Sequence, residues 1–440
     1  MSVEPLGDWR RTNYSLEITP EMDGKNVIVF GWAETIRDLG GIKFIILGDR
    51  EGTVQVTIPL KKLSEKLAAK VAEIKKQYVF GVRGTVKKSD KAHRGVEIVP
   101  DDIRILNTTV HPLALDPTGR VPADIDVRLN ARILDLRRPE SRSIFIINHH
   151  VTYAIRDFLT THAYVEVQTP KIIATATEGG AALFPVVYFD KEAFLAQSPQ
   201  LYKEELTTTF EKVFEIGSFF RAEESHTTRH ISEFISVDIE EAFADQNDVM
   251  KILEELIAHI VNVVREKCAK ELDILKVNLK LLSLPLKQYT YDEILQELKE
   301  KDIAIPWGED IPTPALRTIG DNHPEEFYFI VDWPTKAKAF YIKPRDDDER
   351  LCEGFDFMYS WVELASGGSR IHEKDLLVSR MKEAGLKPES FEHHLKVYDT
   401  GMPPHAGWGM GLNRLVMVLC GKDNIRECVL FPRDRFRLTP

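Results

Sequence analysis

The amino-acid sequence predicts an α+β protein in which a small β-barrel precedes a larger domain with an antiparallel sheet flanked by helices. Short β-branched runs at 26–33, 41–48 and 52–58 are separated by glycine and acidic turn residues, as is typical of strands. Residues 60–76 change to helical spacing. After about residue 141, strands come in runs rather than in regular βαβ repeats, which favours an antiparallel α+β domain over a Rossmann fold.

The first domain is expected to span residues 1–110. After the helical stretch, two more strand-like runs follow at 78–86 and 95–100, which gives the order β-β-β-α-β-β. This is the order of the OB-fold, a Greek-key barrel that presents strands and loops to single-stranded nucleic acid. An SH3-like or other small barrel is the alternative, and the helix between the third and fourth strands favours the OB-fold.

Residues 111–140 contain several prolines and little apolar periodicity, so they are expected to form a hinge. The second domain is expected to span 141–440. The run at 231–243 alternates apolar and polar residues, as a half-buried strand does. Further strands are predicted at 164–168, 193–197, 213–221, 326–332, 339–343 and 354–364, and helices at 143–160, 248–267, 374–385 and 411–420.

The composition excludes several classes of protein. The 440 residues include 43% hydrophobic residues, enough to build cores, and no apolar run approaches the roughly 18 residues of a membrane span. The N-terminal residues lack the apolar stretch of a secretory signal. None of the four cysteines belongs to a C-x-x-C pair, which argues against a disulfide scaffold or a structural zinc site and favours the reducing cytoplasm.

The net charge of −11 conceals a basic region. The first 112 residues carry 18 Lys and Arg against 15 Asp and Glu. A stripe of cations there can hold phosphates, although a solvated surface explains it equally well. The stripe comprises Lys61, Lys62, Lys66, Lys70, Lys75, Lys76, Arg83, Lys87, Lys88, Lys91 and Arg94.

Two features suit a nucleotide. The segment Phe220-Arg221-Ala222-Glu223 ends an apolar run, and a polar loop leads to Thr228-Arg229-His230. Such a hairpin suits a polyanion with a purine attached, whereas the alternative is an exposed, salt-bridged hairpin. The segment Gly409–Arg414 enters an apolar helix, where glycines allow close packing and an arginine can clamp a phosphate. It is not a dinucleotide fingerprint, because Arg414 takes the place of the third glycine.

Two further features offer polar ligands. Glu363 and Ser366 are three residues apart and supply the hard oxygen ligands that Mg²⁺ shares with phosphates. The segment 197–203 places amides, a hydroxyl and a cation around a proline. The spacing of His226 and His230 lacks the glutamate of H-E-x-x-H, and no P-loop, nucleophile elbow or catalytic triad is present.

Together these features resemble the archaeal and eukaryotic aspartyl-tRNA synthetases, a family of class II aminoacyl-tRNA synthetases. The resemblance covers essentially the whole chain. It is most specific at 170–180, 195–204, 220–230, 363–372 and 402–414 and in the last residues, NIRECVLFPRDRFRLTP. Departures from the family pattern are Ala163, Ser369, Trp408 and Asn413, the last of which stands where an acidic residue is usual.

The resemblance implies that ATP activates L-aspartate to aspartyl-adenylate, and that the aspartyl group then passes to the 3′ end of tRNA(Asp), with tRNA(Asn) left open. The attacking carboxylate is already ionised at pH 7, so positioning and charge neutralisation supply the catalysis. The catalytic residues implied are Arg221, Arg414 and Glu363. The residues expected to border ATP are Arg221, Ala222, Glu223, Arg229, His230, Ile231, Glu363, Gly411, Leu412, Asn413 and Arg414.

The family pattern also implies the amino-acid pocket and a Mg²⁺ ion held by Glu363 and Ser366. Lys203 and Arg370 would provide two cations for the side-chain carboxylate of aspartate. Glu178 and Gln200 would suit its ammonium. The expected aspartate-binding residues are Glu178, Gln200, Lys203, Arg221, Ser366 and Arg370. An asparaginyl-tRNA synthetase remains an alternative, although that family lacks the lysine at position 203. An adenylate-forming relative of asparagine synthetase is another, although it has no use for an OB-fold.

In the first domain, Phe44 and Gln55 correspond to residues that stack on, and hydrogen-bond to, an anticodon base in this family. Pro170 matches the family's dimer motif, so a homodimer is expected, with no membrane partner. Glu34 and His93 lie where the family distinguishes tRNA(Asp) from tRNA(Asn), and they match neither pattern.

Overall fold

The computed structural model describes residues 3–174, 183–222 and 228–439. The chain divides into two compact units, Met1–Arg138 and Pro139–Pro440. The predicted sites Glu178 and Glu223 lie outside the described residues. Among the helices that the structure describes, none combines the length and the apolar character needed to cross a membrane.

The first unit is built on a closed barrel of five strands in the order β1-β2-β3-β5-β4. Its strands are β1 (Asn26–Asp38), β2 (Ile42–Gly48), β3 (Thr53–Pro59), β4 (Val79–Lys88) and β5 (Val96–Asn107), and helix α1 (Glu65–Glu73) lies between β3 and β4. The predicted element order is confirmed. The helix is shorter than predicted because it starts only after Ser64, whose side chain accepts a hydrogen bond from the backbone N–H of Leu67.

The predicted hinge at 111–140 belongs mostly to the first unit and is partly helical. It contains α2 (Ile125–Asn130) and α3 (Arg132–Asp135). The carboxylate of Asp135 is buried and accepts hydrogen bonds from Arg128 at 2.8 Å and Arg132 at 2.6 Å. These pairings hold the two short helices together where the apolar pattern is too weak to predict them.

The second unit alternates helices with strands of a large sheet. Its strands are β6 (Val165–Glu166), β7 (Ile172–Ile173), β8 (Pro185–Tyr188), β9 (Lys191–Leu195), β10 (Lys212–Phe220), β11 (Glu233–Ala242), β12 (Lys287–Thr290), β13 (Phe327–Val331), β14 (Gly354–Tyr359), β15 (Val362–Ser369) and β16 (His405–Gly411). Its helices are α4 (Pro139–Thr161), α5 (Gln200–Phe210), α6 (Gln246–Lys267), α7 (Ala269–Leu275), α8 (Tyr291–Lys299), α9 (Thr313–Asn322), α10 (Lys374–Glu383), α11 (Glu392–Tyr398) and α12 (Leu412–Leu419).

Eight of these strands form one sheet in the order β12-β13-β14-β15-β16-β11-β10-β6. The pairing is antiparallel except at the two edges, where β12 joins β13 and β6 joins β10 in parallel. The predicted run 354–364 is a hairpin that turns at Ser360 and Trp361, and 339–343 is not a strand. The strands β7, β9 and β8 form a separate small sheet.

The main core lies on one face of the large sheet. Helices α4, α6 and α12 pack there against apolar side chains of the central strands, such as Val237, Ile239 and Trp408. Successive side chains of a strand point to opposite faces, so the residues between them face away from this core. On β11 these are Ser236, Asp238 and Glu240, and they define the face that carries the candidate site.

Candidate active site

A cavity of about 380 Å³ lies over the polar face of the central strands. Its walls come from β11, β15 and β16, from the hairpin loop before β11 and from the start of α5. The lining residues that carry polar side chains include Gln197, Gln200, Arg221, Arg229, His230, Ser236, Asp238, Lys338, Glu363, Ser366, Arg370, Asn413 and Arg414. Several motifs far apart in the sequence therefore meet in one place.

Two glycines of β16 make room for the acids of β11. A Cβ atom at Gly407 would lie 2.2 Å from the carbonyl oxygen of Ile239 and 2.3 Å from Oε2 of Glu240. One at Gly409 would lie 2.8 Å from Oδ1 of Asp238. The backbone contact leaves no room for a side chain at position 407, and a side chain at position 409 would displace the carboxylate of Asp238. The glycine-rich segment is therefore a strand that passes close to buried carboxylates.

At one end of the cavity, two cations and two acids form a buried network that we call the paired end. The Nζ atom of Lys203 lies 3.1 Å from Oδ1 of Asp238 and 3.4 Å from Oε2 of Glu240. The Nε atom of Arg370 donates a hydrogen bond to Oε1 of Glu240 at 2.8 Å. Lys203 is 2% exposed and Glu240 is fully buried. The two cations thus converge on one carboxylate, and the four formal charges cancel.

This pairing controls the ionisation of Arg370. Burial acts to lower the pKa of its guanidinium, but the adjacent Glu240 carboxylate outweighs burial and raises the pKa above its usual value. Arg370 lines the cavity, whereas Lys203 does not. Neither Asp238 nor Glu240 was predicted as a site residue, although the alternation of apolar and polar residues in β11 was a signal for them.

Three further arginines line the cavity, namely Arg221, Arg229 and Arg414, and we call this group the arginine end. The guanidinium of Arg221 faces the ring of Phe234, with its central carbon 5.4 Å from the ring centroid. That of Arg229 lies 4.3 Å from the ring centroid of Trp361 and donates a hydrogen bond to Thr313 at 2.7 Å. Burial, together with the positive charge of Arg414, lowers the pKa of Arg229 to about 10. Its side chain is still charged at neutral pH.

A bulge in β15 brings the predicted metal ligands together. Residues three apart on a regular strand point to opposite faces. The register of β15 shifts opposite Phe357 and Met358, which pair with Ala365 and Glu363, so one extra residue is accommodated. Glu363 and Ser366 therefore both line the cavity.

Beside this pair lies a carboxylate that sequence reasoning missed. Asp356 is the cross-strand partner of Ser366, and both of its oxygens lie 2.6 Å from Nζ of Lys338. Burial raises the pKa of Asp356, and Lys338 opposes this effect. In the described part of the chain, no three His, Cys, Asp or Glu side chains form a metal cage. Glu363 and Ser366 fit a Mg²⁺ ion that takes its other ligands from water and phosphate.

Comparison with known proteins decides the family. Residues 124–435 match the family described as tRNA synthetases class II (D, K and N), and residues 27–106 match the OB-fold nucleic acid binding domain. The chain belongs to the class II tRNA synthetases. The OB-fold and the class II catalytic domain predicted from the sequence are confirmed, as is the resemblance to the archaeal aspartyl enzymes.

Relatives of the synthetase align over nearly its full length. It is 51% identical to the aspartate–tRNA(Asp/Asn) ligase of Methanopyrus kandleri, with 97% of this chain and 99% of the relative covered. It is 49% identical to the ligase of the same name from Archaeoglobus fulgidus, over 97% and 99% of the two chains. The crystal structure of asparaginyl-tRNA synthetase from Pyrococcus horikoshii with asparaginyl-adenylate gives a TM-score of 0.93 at 31% identity, covering 98% and 100%.

The cavity gathers most of the residues predicted for the synthetase, with a few exceptions. Lys203, Ala222 and Leu412 do not line it, and Glu178 and Glu223 lie outside the described residues. Asn413 lines it but also has a structural role, because its Oδ1 accepts a hydrogen bond from the backbone N–H of Ile235 at 2.8 Å. Predicted residues that line the cavity are Gln200, Arg221, Arg229, His230, Ile231, Glu363, Ser366, Arg370, Gly411, Asn413 and Arg414.

The predicted anticodon residues of the synthetase share the outer face of its barrel. Phe44 pairs across the strands with Thr57, and Gln55 is two residues from Thr57 on β3. The Nε2 atom of Gln55 donates hydrogen bonds to Oε2 of Glu97 at 3.0 Å and to Oγ1 of Thr57 at 3.2 Å. Glu97, which sequence reasoning did not identify, therefore fixes the orientation of the Gln55 amide.

The basic stripe is only partly available to phosphates. Arg94 donates hydrogen bonds to four backbone carbonyl groups, those of Ser15, Leu16, Ile18 and Thr53. Lys70 is bound to Glu4 at 2.6 Å. These two cations stabilise the barrel. The other lysines of the stripe are exposed, namely Lys61, Lys62, Lys66, Lys75, Lys76, Lys87, Lys88 and Lys91.

Proposed function

We propose that this synthetase is an aspartate–tRNA ligase that activates L-aspartate with ATP and transfers it to tRNA(Asp) and tRNA(Asn). The observation that carries the choice of amino acid is the convergence of Lys203 and Arg370 on Glu240 at the paired end of the cavity. The names of the archaeal relatives, aspartate–tRNA(Asp/Asn) ligase, support the choice of tRNA.

The guanidinium of Arg370, which lines the cavity, favours a carboxylate side chain. A ligand carboxylate that reaches Arg370 meets a cation that Glu240 already holds in place, so little side-chain entropy is lost on binding. Asparagine offers a neutral amide, which gains less from a guanidinium than a carboxylate does. Lysine would bring a third cation to the network. A polar site rejects a mismatched isostere by about 10⁴–10⁵-fold, because its buried groups are left unpaired.

The reaction needs no general base, since the α-carboxylate of aspartate is ionised at neutral pH. Arg221 and Arg229 line the cavity and would hold ATP phosphates. Arg414 lies beside Glu363, with Nη1 3.9 Å from its Oε1. Glu363 and Ser366 would hold Mg²⁺, which neutralises phosphate charge. Gln200 lines the cavity and suits the ammonium of the substrate. Catalysis then depends on positioning and on neutralised charge.

The barrel supplies the contact with the anticodon. Phe44 offers an aromatic face for base stacking, and Gln55 offers an amide whose orientation Glu97 sets. The exposed lysines of the stripe suit the phosphate backbone of tRNA.

We also propose that the enzyme is a cytoplasmic homodimer. Strand β6 forms one edge of the large sheet, and Val165 in that strand is 42% exposed. Tyr153 on the neighbouring helix α4 is 62% exposed, and Pro170 is exposed after β6. Apolar groups at an unpaired sheet edge suit a second copy of the chain. Light scattering of the purified protein tests the dimer, and a monomer at micromolar concentration contradicts it.

Pyrophosphate exchange and tRNA charging test the function. We expect ATP–pyrophosphate exchange with aspartate and none above background with asparagine or lysine. We expect aspartyl transfer to both tRNA(Asp) and tRNA(Asn). Exchange with asparagine alone would replace the proposal by an asparaginyl-tRNA synthetase. Exchange with aspartate but no charging of any tRNA would indicate an adenylate-forming enzyme of the asparagine-synthetase kind.

A further inference from the structure

A buried carboxylate lies directly behind the amino-acid pocket. Glu204 is fully buried on α5, one helical turn after Gln200. The Nε2 atom of Gln200 donates a hydrogen bond to Oε1 of Glu204 at 2.6 Å. Gln200 lines the cavity and Glu204 does not, so Glu204 can act on a ligand only through another side chain.

The hydrogen bond between Gln200 and Glu204 fixes the orientation of the Gln200 amide. An ionised carboxylate only accepts hydrogen bonds, so the amide of Gln200 must turn its NH₂ group towards Glu204. The amide oxygen is then on the other side, available to the cavity. An oxygen acceptor is what a substrate ammonium requires, whereas an amide NH₂ group would repel it. We propose that Glu204 is a positioning residue that fixes the Gln200 amide with its oxygen towards the ammonium of the amino-acid substrate. This inference rests on the proposed function.

The groups around Glu204 keep it ionised. Its Oε2 lies 3.4 Å from Nε2 of His394 and 3.7 Å from Nε2 of His405, and it accepts a hydrogen bond from the hydroxyl of Tyr398 at 3.3 Å. The Nδ1 atom of His394 is 3.1 Å from Oε1 of Glu205. Both nitrogens of that ring face carboxylates, so the ring is held as a cation. Burial acts to raise the pKa of Glu204, but the two histidines outweigh burial and lower it.

An isosteric change tests the direction of the amide. Glu204→Gln keeps the shape but offers both a donor and an acceptor, so the Gln200 amide can turn over. Glu205→Gln is the matched control, because it removes the same charge from the other side of His394. In the described part of the chain, Glu205 makes no hydrogen bond to the amide of Gln200. The measurements are the KM values for aspartate and ATP in pyrophosphate exchange, and the inhibition constant of succinate. Succinate keeps both carboxylates of aspartate and lacks the ammonium.

For Glu204→Gln we expect the KM for aspartate to rise about tenfold, which corresponds to about 1.4 kcal/mol. The KM for ATP and the inhibition constant of succinate should stay unchanged, and Glu205→Gln should change none of the three. Equal weakening of aspartate and succinate would overturn the proposal, because Glu204 would then act on the carboxylates. An unchanged KM for aspartate would also overturn it.

A variant that fails to fold does not end the test. If thermal melting shows that Glu204→Gln is unfolded, Glu204→Asp replaces it, since a carboxylate withdrawn by one methylene also leaves Gln200 without its acceptor. The same selective loss is expected, and its absence overturns the proposal. Failure of the proposed function is distinguishable, because the unaltered enzyme would then show no aspartate-dependent exchange at all.

Discussion

The two ends of the cavity hold their cations in opposite ways. At the paired end, Lys203 and Arg370 are almost fully buried and share the carboxylate of Glu240. At the arginine end, the side chain of Arg414 is 22% exposed and its carboxylate neighbour, Glu363, is 43% exposed. The paired end is therefore a buried network with no net charge, whereas the arginine end is more exposed and carries an excess of positive charge.

The difference matches what each end would bind. An amino acid is small, so its pocket can be fixed in advance, with each cation held by an acid until the substrate arrives. A triphosphate brings several negative charges and a metal ion, and a wall with excess positive charge attracts it. Buried ion pairs are costly to break, whereas exposed ones contribute little to stability. Changes at the two ends should therefore differ in their effect on folding.

Removal of the lysine at the paired end should have the largest effect. Lys203→Leu leaves Asp238 and Glu240 with one cation between them, and breaking a buried pair costs about 3–5 kcal/mol. We expect a marked fall in melting temperature, measured by calorimetry, and a loss of aspartate-dependent exchange of about 10⁴-fold.

A compensated double variant separates the two effects. Lys203→Leu with Asp238→Asn removes one charge of each sign, so it should recover much of the melting temperature and none of the exchange activity. If Lys203→Leu alone had the same melting temperature as the unaltered protein, the electrostatic account of the paired end would be contradicted. Near-normal exchange in the single variant would remove the role of Lys203.

Removal of an arginine at the arginine end should reduce activity without affecting folding. For Arg414→Ala we expect kcat/KM for ATP to fall by about 10²–10³-fold, because charge that develops on phosphate loses its partner. The free energy of unfolding should change by about 1 kcal/mol or less. The KM for aspartate should not change.

Arg317 offers a control for this variant. It stacks on Trp361 at 4.3 Å, as Arg229 does, but does not line the cavity. Arg317→Ala should leave kinetics with ATP unchanged. Destabilisation by Arg414→Ala as large as that by Lys203→Leu would remove the distinction between the two ends.

The same contrast explains what the sequence could predict. The arginine end is encoded locally, since Arg221 and Arg229 flank one hairpin and Arg414 follows a glycine pair at the start of a helix. Short-range patterns of this kind identify both the hairpin and the barrel strands. The paired end depends on partners far apart in the chain. Lys203 and Asp238 are 35 residues apart, and Arg370 and Glu240 are 130 apart.

Two local features also escaped prediction for physical reasons. Strand β16 is rich in glycine, which has a low preference for strands, and the closeness of Ile239 and Glu240 on the neighbouring strand explains the glycine at position 407. The bulge in β15 depends on its pairing with Phe357 and Met358, so the odd spacing of Glu363 and Ser366 could not by itself place them on one face. In both cases the neighbouring strand determines the geometry.

The buried imidazole of His394 should make the stability of the protein depend on pH. Burial acts to lower the pKa of this imidazole, but the adjacent carboxylates of Glu204 and Glu205 outweigh burial and raise the pKa to about 9. Because the pKa is raised in the folded state, protonated His394 contributes its full stabilisation below about pH 6.5. This contribution is lost as the pH rises through about 9. The stabilisation amounts to about 3 kcal/mol.

We therefore expect the melting temperature of His394→Asn to lie well below that of the unaltered protein at pH 6. The difference in melting temperature should narrow towards pH 10. His393→Asn is the control, because that side chain is 86% exposed and should show no such gap. A gap that is constant with pH would mean that His394 stabilises the fold by packing alone.

A change in the barrel should affect neither end of the cavity, and should have the smallest effect. Stacking of a base on an aromatic ring contributes about 1–3 kcal/mol, so Phe44→Ala should raise the KM for tRNA in charging by about tenfold or more. Pyrophosphate exchange needs no tRNA and should be unchanged. Ile42→Ala is the matched control, since Ile42 lies two residues earlier on the same face of β2 and is 40% exposed but cannot stack. Equal loss of exchange and charging in Phe44→Ala would mean that the barrel acts on the cavity itself, and the separation of anticodon contact from amino-acid activation would then be wrong.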